Sequence, residues 1–264
     1  MVQRFALAAL ALSVSVGLAQ SAPPHPKFDS FEVATIKPTD SAAQGRYIKM
    51  EGNNRFVEKY YTLQLLIAAA YDLNPRTISG GPAWVASDRY DIEAVTPGDK
   101  RPDHDEQMSM LRSLLSERFK LTFHREQKEF AIYALEIAKG GPKLKATAAS
   151  ADDPAIVGPG VVYPQRVVLP GRNASMGNFV SLMQRAILDR PVVDKTELTG
   201  RYDFDLEWAP DETQFGGGLP PATADAPSLP LFEAIQQQMG LKLEAMRGPV
   251  NAMVIESAER PSAN

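Results

Sequence analysis

The stretch LTGRYDFDLEW (Leu198–Trp208) restates a phrase met far upstream, ASDRYDIEAV (Ala86–Val95). In both, Arg-Tyr-Asp is followed by an apolar residue and then an acid. Apolar and charged residues alternate, which is the period of a half-buried β-strand. Tyr202, Phe204, Leu206 and Trp208 fall on one face; Arg201, Asp203, Asp205 and Glu207 fall on the other. In the first copy Tyr90, Ile92 and Ala94 face inward, and Arg89, Asp91 and Glu93 face outward. The acids read as a solvated face paired with bases on neighbouring strands, with Lys120 and Lys242 as candidates. Read as chemistry, Asp203 and Asp205 are adjacent carboxylates suited to general acid–base work or to a cation.

The flanks of the two phrases correspond. Before the first, Leu63, Leu66, Ile67 and Ala70 recur at i, i+3, i+4 and i+7, and Thr62 is an N-cap candidate. Before the second, Met176, Phe179, Val180 and Met183 keep that spacing behind Ser175. A second helix follows each phrase. One opens with Asp103 and Glu106 at capping-box spacing. The other starts near Ser228 and ends at Gly240. Each then leads into two strands, FKLTFHRE with FAIYALEIA, and LKLEAMRG with VNAMVIESA. A hairpin precedes each first helix, and the one at Gly52-Asn53-Asn54 has the turn chemistry for it. FEVATIKP (Phe31–Pro38) adds one strand at the start.

The expected fold is therefore α+β, with two tandem related units of hairpin, helix, strand, helix, strand, strand, and antiparallel or mixed sheets packed on helices. The first unit spans residues 28–144 and the second 161–264. Between them, residues 145–160 are small, polar and rich in Pro and Gly, the composition of a linker. Residues 209–227 interrupt the second unit, and their composition is that of a mobile insertion.

Composition bounds the setting. Residues 1–19 have a positive start at Arg4, an apolar run too short to span a membrane, and small residues at the end, the order of a signal peptide. The expectation is export to the periplasm or beyond, with no membrane span after cleavage. The chain has no cysteine, so disulfides and thiolate metal sites are excluded. The formal net charge of −4 carries no continuous basic footprint, so nucleic acid is not an expected partner.

Other candidate chemistry is sparse. There are three histidines; His124 shares a strand face with Glu126, two potential metal ligands where a site needs more. No serine sits in a G-x-S-x-G elbow, and no phosphate-loop or dinucleotide glycine pattern occurs. No cofactor is expected. ISGGPAW (Ile78–Trp84) forces a turn directly before Trp84, which either caps the core or offers a partner a platform. Trp84, Arg89, Arg201, Asp203 and Asp205 are the binding candidates, and a pocket between the two units is where they would matter.

The phrases FEVATIKP, TLQLLIAAAY, ISGGPAW, DRYDIEA, RPVVDKTELTGRYDFDLEW and LFEAIQQQMGLKLEAMRGPVNAMVIESAERPSAN resemble a soil-associated family of secreted bacterial proteins of unknown function, expanded in acidobacteria. The resemblance covers nearly the whole mature chain. It implies export and the duplicated α+β layout, and it carries over no catalytic residue. Related modules beside membrane-embedded sensor metallopeptidases imply a sensory or accessory role. A weaker fold-level likeness joins each unit to the short N-terminal domains of secretins and TonB-dependent receptors, which are interaction modules. The leading expectation is an exported, non-catalytic module with an unknown protein or small-molecule partner. Its rivals are a secreted hydrolase using Asp203 and Asp205 or the His124–Glu126 pair, and a sensor module of a proteolytic signalling system.

Overall fold

A computed structural model describes residues 27–40, 45–150, 153–158, 161–163, 166–217 and 229–262. The expected leader (1–19), the expected helix start at Ser228 and residues 218–227 of the insertion lie outside the described residues. In chain order the first elements are β1 (Val33–Pro38), β2 (Tyr47–Glu51), β3 (Arg55–Thr62), α1 (Leu63–Ala70) and β4 (Ile78–Gly80). β5 (Arg89–Val95), α2 (His104–Arg118) and β6 (Thr122–Ile137) follow. Then come β7 (Lys145–Ala146), β8 (Ile156–Val157), β9 (Val161–Tyr163), β10 (Arg166–Ala174) and α3 (Met176–Leu182). β11 (Val192–Asp194), β12 (Tyr202–Trp208), α4 (Leu231–Ala234) and β13 (Leu241–Ser257) complete the α+β fold.

The helices start where local chemistry places them. The Thr62 hydroxyl accepts the Leu65 N–H at 3.3 Å and opens α1, which buries Leu63, Leu66, Ile67 and Ala70. Asp103 and Glu106 form the full capping box of α2, with bonds of 2.9 and 2.8 Å. Ser175 and Asn178 do the same for α3. Both α3 and α4 run on into a π-helical turn, Met183–Ile187 and Ile235–Met239. Gly240 closes the second at φ 68°, and a Cβ there would meet the Gly141 carbonyl oxygen at 2.3 Å.

Two antiparallel sheets carry the Arg-Tyr-Asp strands. The first has the order β1-β5-β3-β2, and the second β7-β12-β10-β8 with β9 also on β10. β5 and β12 are interior in each, so their alternating apolar residues face a core on one side. β7 stands beside β12 as β1 stands beside β5. The Thr39 N–H donates to the Arg89 carbonyl at 2.9 Å, and the Thr147 N–H donates to that of Arg201 at 3.0 Å. Residues 145–147, linker by composition, are thus a sheet edge, because backbone pairing makes no demand on side-chain type.

The third sheet, β11-β6-β13-β4, departs from expectation. The four short strands read from the sequence are two long ones, of 16 and 17 residues, paired antiparallel from Leu241–Ile137 to Ser257–Thr122. The expected breaks pass straight through the ladder, with Gly248 opposite Phe130 and Pro249 opposite Glu129. A Cβ on Gly248 would meet Ile132 Cδ1 at 2.8 Å, so the glycine serves close packing here, not a turn.

Two hydrophobic cores result, and the long strands connect them. Met253 and Ile255 of β13 pack into the core built by α1, α2, β3 and β5. Leu135 of β6 packs into the core built by α3, α4, β10 and β12. Short parallel edges complete the exchange: β4 pairs with Met253–Ile255, and β11 with Tyr133–Leu135. The sequence boundaries 28–144 and 161–264 are accordingly crossed by both strands, since apolar alternation marks a buried face without naming its partner. No helix among the described residues is long and apolar enough to cross a membrane.

The exchange has a thermodynamic consequence. Met253 is 0% exposed, so Met253→Ala should cost about 2–5 kcal/mol through the cavity it leaves in the first core. Calorimetry should show one cooperative transition for both cores, moved to lower temperature as a whole by this substitution. Two separate transitions would show that the cores unfold independently.

Candidate functional site

The repeated phrase works as a clamp on a bulge. β3 and β10 each shift register beside the phrase, between Glu58 and Tyr61 and between Gly171 and Ala174. At each shift one non-glycine residue takes positive φ, Tyr60 at 68° and Asn173 at 50°. Asp91 accepts the Tyr60 N–H at 3.1 Å, while Arg89 donates to the Tyr60 carbonyl at 3.1 Å. Asp203 accepts the Asn173 N–H at 2.9 Å, and Arg201 donates to the Asn173 carbonyl at 3.0 Å. One phrase therefore holds both polar groups of the bulged residue, in both sheets.

Electrostatics follow from this role. Burial alone would raise the Asp91 pKa, but Thr39, the Tyr60 amide and Lys59 together hold it below the ordinary value. The Asn173 amide is the main cause of the lowered Asp203 pKa. The outward acids do find bases, though not Lys120 or Lys242. Lys59 and Arg55 of β3 reach Glu93 at 2.9 and 2.8 Å, and these two bonds bring its pKa down to about 2. Arg172 of β10 chelates Asp205 at 2.7 and 3.0 Å. Lys242 instead pairs with Glu136 and Glu244.

The remaining sequence candidates are dispersed. Trp84 packs edge-on against Tyr90 at 6.4 Å, and Arg260 covers its ring at 5.1 Å while bonding to Asp88. His124 bonds to Glu256 across the ladder at 2.9 Å, whereas Glu126 pairs with Lys128 at 2.6 Å. The strand face expected to join His124 to Glu126 gives each a different neighbour. Among the described residues no group of three side chains is placed to hold a metal ion. In the insertion, Gln214 accepts the Trp208 indole N–H at 2.7 Å, and Phe215 stacks on that indole. Residues 209–217 thus cover the second core, an order their Gly-rich composition did not announce.

The junction of the two cores gathers the polar groups that sequence reasoning passed over. Asp72, just beyond α1, accepts a short hydrogen bond from the Ser181 hydroxyl of α3. Arg185 Nε lies 3.7 Å from the same carboxylate, and His104 Nε2 lies 3.9 Å away. Burial would raise the Asp72 pKa, but His104, Ser181 and Arg185 outweigh it and lower it. Gln184 donates to the Asp72 carbonyl at 2.6 Å. Asn74, 1% exposed, donates to the carbonyls of Gln184 and Leu188 at 2.7 and 3.2 Å. These bonds satisfy carbonyls that a π turn leaves open.

Beside this network lies the least satisfied side chain of the described residues. Glu58 of β3 is 0% exposed, and neither carboxylate oxygen has a hydrogen-bond partner. Its cross-strand neighbours are Ile48 and Ile92. Burial, and then the charge of Asp91, push its pKa up to about 9; the nearby Tyr61 amide only partly offsets this. Glu58 is therefore a neutral acid at pH 7. At the corresponding place beside the other bulge stands Gly171, whose space is filled by the Phe204 ring. Tyr61 lies within electrostatic reach of Glu58 and Arg185 alike, and Arg185 Nε, ion-paired to Asp72 at 3.7 Å, is buried without a hydrogen-bond partner. One signal for Glu58 was available: in RFVEKYY it shares the inward phase of Phe56.

Residues 64–258 match the model of a family described as a protein of unknown function, DUF3738, and the chain belongs to that family. The match includes both Arg-Tyr-Asp strands, Asp72, His104, Ser181 and Arg185; Glu58 and Tyr61 precede it. No curated protein and no solved structure matches the chain.

Two measurements check this account. Asp91→Ala frees the Tyr60 N–H and should cost about 1–3 kcal/mol, whereas Asp205→Ala, a surface pair, should leave the melting temperature nearly unchanged. For Glu58, the folded pKa of about 9 lies above the ordinary 4.5, so the folded state binds the extra proton between those values. Its contribution is full below pH 4.5 and falls by about 1.4 kcal/mol per pH unit towards pH 9. Glu58→Gln should flatten that slope in denaturant titrations. An unchanged slope would show that another group carries it.

Proposed function

We propose that this member of the DUF3738 family is an exported, non-catalytic binding protein that takes a polar ligand, or a polar segment of a partner protein, at the junction of its cores. The observation that carries this reading is the concentration there of unpaired capacity. Glu58 and the Arg185 Nε are both buried without a hydrogen-bond partner, and the charges of both act on Tyr61. An unmade buried hydrogen bond costs about 1–3 kcal/mol, so a ligand that completes these groups recovers what the free protein forgoes. Asp72 and His104 are about two-fifths exposed, which gives the cluster an outer, solvent-facing side. The order of the N-terminal residues supports export.

A hydrolase reading draws support from the gathering of Ser181, His104 and Asp72 at one place. The geometry favours it less. Ser181 donates to Asp72 and not to the imidazole, and the lowered pKa of that carboxylate makes it a weak base for the hydroxyl proton. Asp203 and Asp205 are tied to the Asn173 amide and to Arg172.

A thermal-shift screen of the mature chain against polar metabolites and short peptides tests the reading. A stabilising compound is expected, and Glu58→Gln and Arg185→Met should each weaken it about tenfold or more, near 1.4 kcal/mol. Binding indifferent to both substitutions would remove the junction as the site. Turnover of an ester or peptide panel that disappears in Ser181→Ala would replace binding with hydrolysis.

A further inference from the structure

We infer that the chain is two half-molecules joined by exchanged strands, and that each half is the obligate binding partner of the other. The interaction surface is the β6–β13 ladder with the core segments at its two ends. Met253 and Ile255, 0% and 3% exposed, come from the last strand of the chain yet sit in the first core. Leu135, 0% exposed, comes from the N-terminal half and sits in the second core. Neither core is closed by its own half.

The edges repeat the exchange in both directions. β4 of the first half pairs in parallel with β13, Ile78 opposite Met253, and β11 of the second half pairs in parallel with β6, Val192 opposite Tyr133. This reciprocity is the signature of a two-fold interface, in which each partner offers the same surface to the other. The bulge clamps strengthen the correspondence. Arg89, Tyr60 and Asp91 make in one half the contacts that Arg201, Asn173 and Asp203 make in the other. Thr39 and Thr147 bond to the neighbouring Arg carbonyls in the same way. The partner that fits the open core of either half is a second half of the same kind. The chain holds both in one molecule, joined through the segment between β7 and β8. That covalent link is therefore dispensable once the strands have exchanged.

The test cuts the folded full chain. A protease recognition sequence is placed between Ala151 and Asp152, and the purified protein is cleaved under native conditions. The two fragments should elute together at the position of the uncut chain and part only in denaturant. Amide exchange at Ala131–Leu135 and Ala252–Ile255 should stay as slow after cleavage as before. The same cut in an Asn74→Ala background should also co-elute, because the strands and not the polar junction hold the halves. Fragments that separate on a native column would overturn the inference. So would loss of protection confined to those two segments, or separation caused by Asn74→Ala.

Discussion

Both cores depend on the antiparallel pairing of β6 with β13. The ladder runs from Leu241 opposite Ile137 to Ser257 opposite Thr122, so its two ends lie in different cores. A strand that is buried at both ends cannot leave one core without opening the other. The two halves are thereby tied to each other through both cores. The polar junction rests on this constraint, because Asp72 and Asn74 meet Ser181, Gln184 and Leu188 only while the cores are held together.

The Arg-Tyr-Asp phrase shows how a charged motif can be structural without being a surface ornament. A non-glycine residue at positive φ costs about 1–2 kcal/mol, and both bulges contain one. Hydrogen bonds to charged groups contribute about 1.5–3 kcal/mol, enough to offset that strain. The Asp takes the N–H and the Arg takes the carbonyl of the same bulged residue, which its neighbour strand cannot satisfy. Arg89 also lies over the Tyr60 ring at 4.2 Å. The acids read as a solvated strand face are thus divided. Glu93 and Asp205 keep that role, while Asp91 and Asp203 hold the backbone.

Glu58 and Gly171 mark where the two halves part company. Beside one bulge, a glycine admits the Phe204 ring and the site is closed by aromatic packing against Phe179. Beside the other, a carboxyl sits between Ile48 and Ile92 and stays protonated because it is buried and faces the charge of Asp91. The same backbone device thus carries an apolar filling in one half and an unsatisfied acid in the other. The proposed recognition at the junction rests on that asymmetry.

The local elements follow from the order of residues alone. Thr62, Asp103 and Ser175 cap the helices named from their spacing, and alternation put Tyr90, Ile92, Phe204 and Leu206 on the inward face of their strands. These features are legible because they depend on residues a few positions apart. Which partners those faces meet is set by long-range packing. Alternation through FKLTFHRE and FAIYALEIA is the same whether they form two strands or one, and a core does not record which half of the chain fills it. The junction was illegible for the same reason: Asp72, Ser181 and Arg185 are ordinary polar residues until the exchange of two strands brings them together.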